Sequence, residues 1–114
     1  MKCLSVRQPW ASMIACGKKT IETRTWKTSY RGDLLICSTK KPIIETLPLG
    51  VSLCVVDLYN CRDFVPGDEG RACCKWFPGY AWEIRNIRLV EPFEVRGKPA
   101  IFDLDCVLKW RHQA

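Results

Sequence analysis

Short apolar and alternating blocks separated by Pro- and Gly-containing turns run the length of this chain. Lys2–Val6 reads as a strand. Pro9 suits the first position of a helix, where its missing N–H would have no partner anyway. Trp10, Met13 and Ile14 follow at helical spacing, and Gly17 supplies the stop, predicting about two turns. Residues 20–26 alternate, so Thr20, Glu22, Arg24 and Trp26 share one face of a strand and Ile21, Thr23 and Thr25 the other. Tyr30–Asp33 is a turn and Leu34–Thr39 an apolar strand. Residues 40–50 connect, with a helical turn expected at Ile43–Thr46. Val51–Cys61 is the longest β-prone run, Phe64–Gly79 a Pro/Gly-rich loop, Tyr80–Val90 a strand ended by Glu91-Pro92, Phe102–Asp105 a last strand and Val107–Trp110 a tail. Five or six short strands with little helix predict an α+β, mostly β fold. An open sheet of that kind would expose its edges, and closure into a small barrel removes them.

Composition narrows the class. A chain of 114 residues, 47% hydrophobic, is one domain over 1–114 with enough apolar residues for a core. No apolar run approaches the roughly 20 residues of a membrane span, and Met1–Arg7 lacks a signal-peptide core, so a cytoplasmic location and no membrane partner are expected. The eight cysteines invite a disulfide reading, but Cys37 and Cys54 sit in apolar strands where a free thiol acts as a small hydrophobe. In a reducing compartment at most one disulfide is expected. There is no C-x-x-C pair, and the single histidine, His112, is near the C-terminus. No metal and no cofactor are expected.

Charge brings in the candidate chemistry. The net charge is +6, and residues 1–41 hold more than the whole excess: nine Lys/Arg against Glu22 and Asp33. Interleaved with Trp10, Trp26 and Tyr30, these cations suit a surface that meets phosphates and stacks bases. Gly17-Lys18-Lys19-Thr20-Ile21-Glu22-Thr23-Arg24 concentrates them. Glu22 and Arg24 would stand about 6–7 Å apart along a strand, within reach of one small polar ligand. Arg24 offers a fork to phosphate or a base edge, Glu22 an acceptor for an exocyclic amine, Lys19 a mobile point charge, and Trp26 or Trp82 a stacking face. The same residues also fit an exposed strand with a surface ion pair, and Trp10 and Trp82 also fit the core.

Arg7-Gln8-Pro9-Trp10-Ala11-Ser12, then Gly17, Lys19, Glu22 and Arg24 as GxKxxExR, then Tyr30-Arg31-Gly32, resemble the ASCH domain family, relatives of the PUA domains of RNA-modifying proteins. Gly79–Ile84 and Val95–Lys98 resemble its later blocks. The resemblance covers Cys3 to about Leu104. It implies a PUA-like β-barrel with one or two short helices and a ligand cleft lined by Arg7, Gln8, Trp10, Lys19, Glu22, Arg24, Tyr30 and Arg31, with Trp82 and Glu83 facing it from across the barrel; strand alternation adds Trp26 to the same candidate surface. It implies binding of RNA, single-stranded nucleic acid or a nucleotide. A second implied class is a small hydrolase, because some ASCH proteins are amidohydrolases of acetylated cytidine using Lys, Thr and Glu. Lys19, Glu22 and Glu83 would then be catalytic, although Glu22 stands where that subgroup has its threonine. A protein-interaction module is the third class.

Overall fold

The computed structural model describes residues 1–111; His112 lies outside the described residues. The elements are β1 (Lys2–Val6), α1 (Trp10–Ala15), β2 (Ile21–Arg24), β3 (Gly32–Ser38), β4 (Ser52–Asp63), a 3-10 turn (Pro66–Asp68), α2 (Glu69–Ala72), β5 (Tyr80–Leu89) and β6 (Phe102–Asp103). All six strands form one sheet in the order β2-β5-β4-β3-β1-β6. Neighbours are antiparallel except β1 and β3, which run parallel with Val6 beside Ser38. The architecture is the mostly β, barrel-like one expected, with few short helices.

β3 is an unbroken apolar run because it is buried on both faces, as a central strand must be. Leu34 and Ile36 join Leu4, Val6, Val56, Leu58, Trp82 and Ile84 in the inner core, which α1 covers with Ala11 and Ile14. Leu35 and Cys37 face outward and are covered with Cys3, Val55, Val90, Val95 and Phe102 by the C-terminal segment. A third cluster, Ile21, Phe64, Ala72 and Ala81, lies under α2.

Local chemistry explains the helices. Gln8 stands before α1; its Oε1 accepts the Ser12 N–H at 2.9 Å, and its Nε2 donates to Ser12 Oγ and to the Pro48 carbonyl, each at 2.8 Å. This supplies a cap that Pro9 cannot. Gly17 ends α1 with φ of +85°, a conformation glycine adopts without steric cost. Two expectations change here. In place of a helical turn at Ile43–Thr46 there is a single turn over Ile44–Leu47, closed by Leu47 N–H to Ile44 O at 3.1 Å. The Phe64–Gly79 loop contains the 3-10 turn and α2; four residues carry no helical periodicity, and long-range contacts hold them.

All eight cysteines are free thiols. Burial pushes the Cys54 thiol up to about 12, and a hydrogen bond with Cys3 together with burial raises Cys37. Among the described residues no three His, Cys, Asp or Glu side chains are placed to hold a metal ion, and no helix is long and apolar enough to cross a membrane.

Candidate nucleic-acid interface

The two terminal strands of the sheet do not pair along their lengths. β6 pairs only with Lys2 and Cys3, which leaves the later half of β1 open toward β2. Arg24, the last residue of β2, bridges that gap: its Nη2 donates to the Ser5 carbonyl of β1 at 2.8 Å. A cavity of about 830 Å³ opens at this seam, at the C-terminal ends of the parallel β1 and β3.

Four segments build its walls. β1 and its exit give Ser5, Val6, Arg7 and Trp10; the stretch into β2 gives Lys19, Glu22, Thr23 and Arg24; the end of β3 gives Ser38, Thr39 and Lys40. The arm Val95–Pro99 closes over the top, and Cys74 and Phe77 line one side. The arm lies so close that a Cβ on Gly97 would meet Ser5 Oγ at 2.6 Å. Six cations, Arg7, Lys19, Arg24, Lys40, Arg96 and Lys98, face one carboxylate, Glu22.

These charges fall into two sets. The inner set is a hydrogen-bonded chain. Glu22 is 6% exposed and Lys19 1%. Arg24 donates to Glu22 Oε2 from Nε at 3.2 Å and from Nη2 at 2.9 Å. Glu22 Oε1 accepts the Thr23 N–H at 3.0 Å and lies 3.7 Å from Lys19 Nζ. Lys19 Nζ also donates to the carbonyl of Ala72, the last residue of α2. A buried carboxylate satisfied in this way fixes its neighbours. Arg24 is therefore locked by Nε and Nη2, and Nη1 has no partner among the described residues. The outer set, Arg7, Lys40, Arg96 and Lys98, is exposed, and none of the four is ion-paired among the described residues.

The structure brings together Arg7, Trp10, Lys19, Glu22 and Arg24 from the expected set. It corrects two roles within it. Lys19 is buried and anchored, not a mobile point charge, and Glu22 has its oxygens engaged by the protein, so it positions Arg24 and Lys19 rather than reading an amine. The other expected residues stand elsewhere. Gln8 is 1% exposed and spent on capping α1. Trp82 is fully buried; its indole N–H donates to the Trp26 carbonyl at 3.3 Å, and the two rings meet edge to face at 4.7 Å. Neither ring is offered to a ligand in the cavity. Tyr30 donates its hydroxyl to Asp33 O at 2.6 Å, and Arg31 donates to the carbonyls of Thr28 and Tyr30; both precede β3, at the opposite end from the cavity.

Glu83 is the clearest correction. It pairs opposite Ile21, whereas Trp82 pairs opposite Glu22, so strand alternation turns Glu83 to the other face of the sheet. There it accepts from Tyr59, Asn60, Arg62 and Arg71. Burial alone would raise its carboxyl; hydrogen bonds from Arg62 and Asn60 and the Arg62 charge outweigh that and hold it below the usual range. Arg62 also holds Asp68, whose carboxyl falls to about 2. This network ties the loop after β4 to the sheet. The trio Lys19, Glu22 and Glu83 does not form one site.

Sequence reasoning named the Val95–Lys98 block without assigning Arg96 and Lys98 to the site, and it missed Lys40, Thr39 and Phe77. The parallel β1–β3 pairing, which sets Ser38 beside Val6 and brings the ends of both strands to one cavity, is the signal that was not legible from either segment alone.

Residues 4–98 match the family model of the ASCH domain. The human protein called Activating signal cointegrator 1 is 56% identical over 134 aligned residues, taking in 90% of this chain and 22% of that protein. The mouse protein of the same name is 51% identical with the same coverage. The chain thus spans about a fifth of the length of these relatives. Among solved structures, the crystal structure of ASCH from Zymomonas mobilis superposes with a TM-score of 0.72 at 14% identity, covering 91% of this chain and 87% of that one. A single-site mutant of the same protein gives 0.67. At that identity the likeness concerns the fold.

Proposed function

This chain belongs to the ASCH domain family, and from that premise we propose that it binds RNA, other single-stranded nucleic acid or a nucleotide in the basic cleft at the β1–β2 seam. One observation carries the reading. Four exposed cations from three separate segments surround one cavity, and among the described residues no carboxylate is ion-paired with them. A solubilising surface would intersperse both signs, as happens on the opposite face, where Arg85 pairs with Asp57 and Arg88 with Asp33. Unneutralised cations around a recess attract phosphates. Arg24 adds a specific contact, because its locked guanidinium presents Nη1 to a phosphate or base carbonyl with little entropy left to lose.

The test is fluorescence anisotropy on short labelled RNAs over a salt series. Four phosphates neutralised at about 0.7 each give a log–log slope near −3, or roughly fiftyfold weaker binding from 50 to 200 mM salt. Arg24→Ala should weaken binding by about 1–3 kcal/mol. Binding that is absent, or independent of salt, overturns the proposal.

A further inference from the structure

Building on the nucleic-acid reading above, we infer that the cleft takes one unstacked base of a strand into its interior and holds the flanking phosphates at its mouth. The arrangement of charge and apolar surface argues for this. Val6, Trp10, Phe77 and Val95 line the recess, whereas the exposed, unpaired cations stand around it. A protein that lets a strand run across its surface aligns exposed aromatics along a basic groove. Among the described residues the exposed tryptophans are Trp76 and Trp110, at 44% and 50%, and neither lines the cavity: Trp110 bridges to Val90 in the C-terminal segment, and Trp76 lies in a different recess with Thr25, Asp63, Val65, Pro78 and Tyr80. That recess has an acidic residue and no lysine or arginine in its lining.

Size and stiffness fit the same ligand. About 830 Å³ falls in the range of sites that enclose small organic molecules, roughly 300–1,000 Å³. The aromatic walls are set before a ligand arrives. The Trp10 indole N–H donates to the Cys73 carbonyl at 3.2 Å, and Phe77 packs edge-on against Phe64 with ring centroids 5.3 Å apart. A rigid wall loses little freedom when a base packs on it. Arg24 Nη1, without a partner among the described residues, is the donor available to the base edge; the Thr39 hydroxyl already donates to Lys41 O at 2.6 Å, and the Thr23 hydroxyl lies 3.9 Å from Cys74 Sγ. Extracting a base is least costly from a strand that is already single.

The experiment varies the ligand. Affinities are measured for a labelled decamer with ten bases, a fully abasic decamer, and abasic decamers carrying one central base or two adjacent ones. One base should restore about tenfold over the abasic strand, the scale of one stacked base, and the second should add less than about threefold. Phe77→Leu should shrink the one-base gain by a larger factor than it changes abasic binding; Arg96→Ala should weaken both strands by the same factor. Affinity that climbs by a similar factor with each base overturns the inference and leaves strand binding standing. Failure of the ten-base decamer to bind overturns the nucleic-acid reading and this inference together.

Discussion

Replacing Glu22 by glutamine keeps the side chain's size and removes its charge. In the wild type the carboxylate accepts from Arg24 and the Thr23 N–H and faces Lys19 at 3.7 Å. Lys19 is 1% exposed, so after Glu22→Gln its cation keeps only neutral acceptors, the Ala72 carbonyl and the new amide oxygen. Breaking a buried pair by deleting one partner costs about 3–5 kcal/mol. The retained carbonyl and Arg24's partial exposure place this case near 3 kcal/mol. For a domain of this size that lowers Tm by roughly 10–15 °C. Urea unfolding at pH 7 reads the loss directly. A companion variant, Lys19→Met with Glu22→Gln, removes the stranded charge and should recover about 1–2 kcal/mol relative to the sum of the single losses, because the two residues touch. A loss under about 1 kcal/mol for Glu22→Gln, or strict additivity in the pair, refutes the claim that this chain of charges organises the cleft.

Three further outcomes follow from the same geometry. Asp68 and Glu83 have lowered carboxyl pKa values, so the unfolded chain takes up their protons first; the stability they give is full above about pH 5 and fades as pH falls, for Asp68 through about 2. Asp68→Asn should therefore lose on the order of 2 kcal/mol at pH 7 and show a shallower acid decline in urea titrations between pH 5 and 3. Iodoacetamide at pH 8 should modify exposed Cys16 in the native protein while Cys3, Cys37 and Cys54 stay unmodified until denaturant is added, read by peptide mass spectrometry; early labelling of Cys54 contradicts the packing described. Gly79→Ala would place a Cβ 2.6 Å from the Phe77 ring and 2.8 Å from the Arg24 carbonyl, and overpacking of this kind costs about 1–3 kcal/mol, measurable as a shift in the urea midpoint.

Strand β1 and the shared face of Glu22 and Arg24 were legible because each rests on local periodicity: alternate residues of a strand share a face whatever surrounds it. Glu83 was misplaced because its face depends on the β2–β5 register, Ile21 opposite Glu83, which no local pattern encodes. Trp82 reads equally well as a stacking platform or a core residue; only its full burial against Trp26 decides. Helix α2 has four residues and no apolar repeat, and it is held by the Lys19 side chain at Ala72 O and by Thr20 N–H to Arg71 O at 2.9 Å. Lys40 joins the site because β3 runs parallel to β1 and ends beside it. Two segments 30 residues apart carry no shared mark of that pairing.

Nuclear magnetic resonance of the ¹⁵N-labelled protein, titrated with a short single-stranded RNA, locates the bound strand on the surface residue by residue. Amide shifts should cluster in Ser5–Trp10, Thr23–Arg24, Ser38–Lys40 and Val95–Lys98, the segments that line the cavity. Asp57, Arg85 and Arg88, ion-paired on the far face, should stay still. Shifts centred on those far-face residues, or no shifts at all, contradict the cleft as the binding surface.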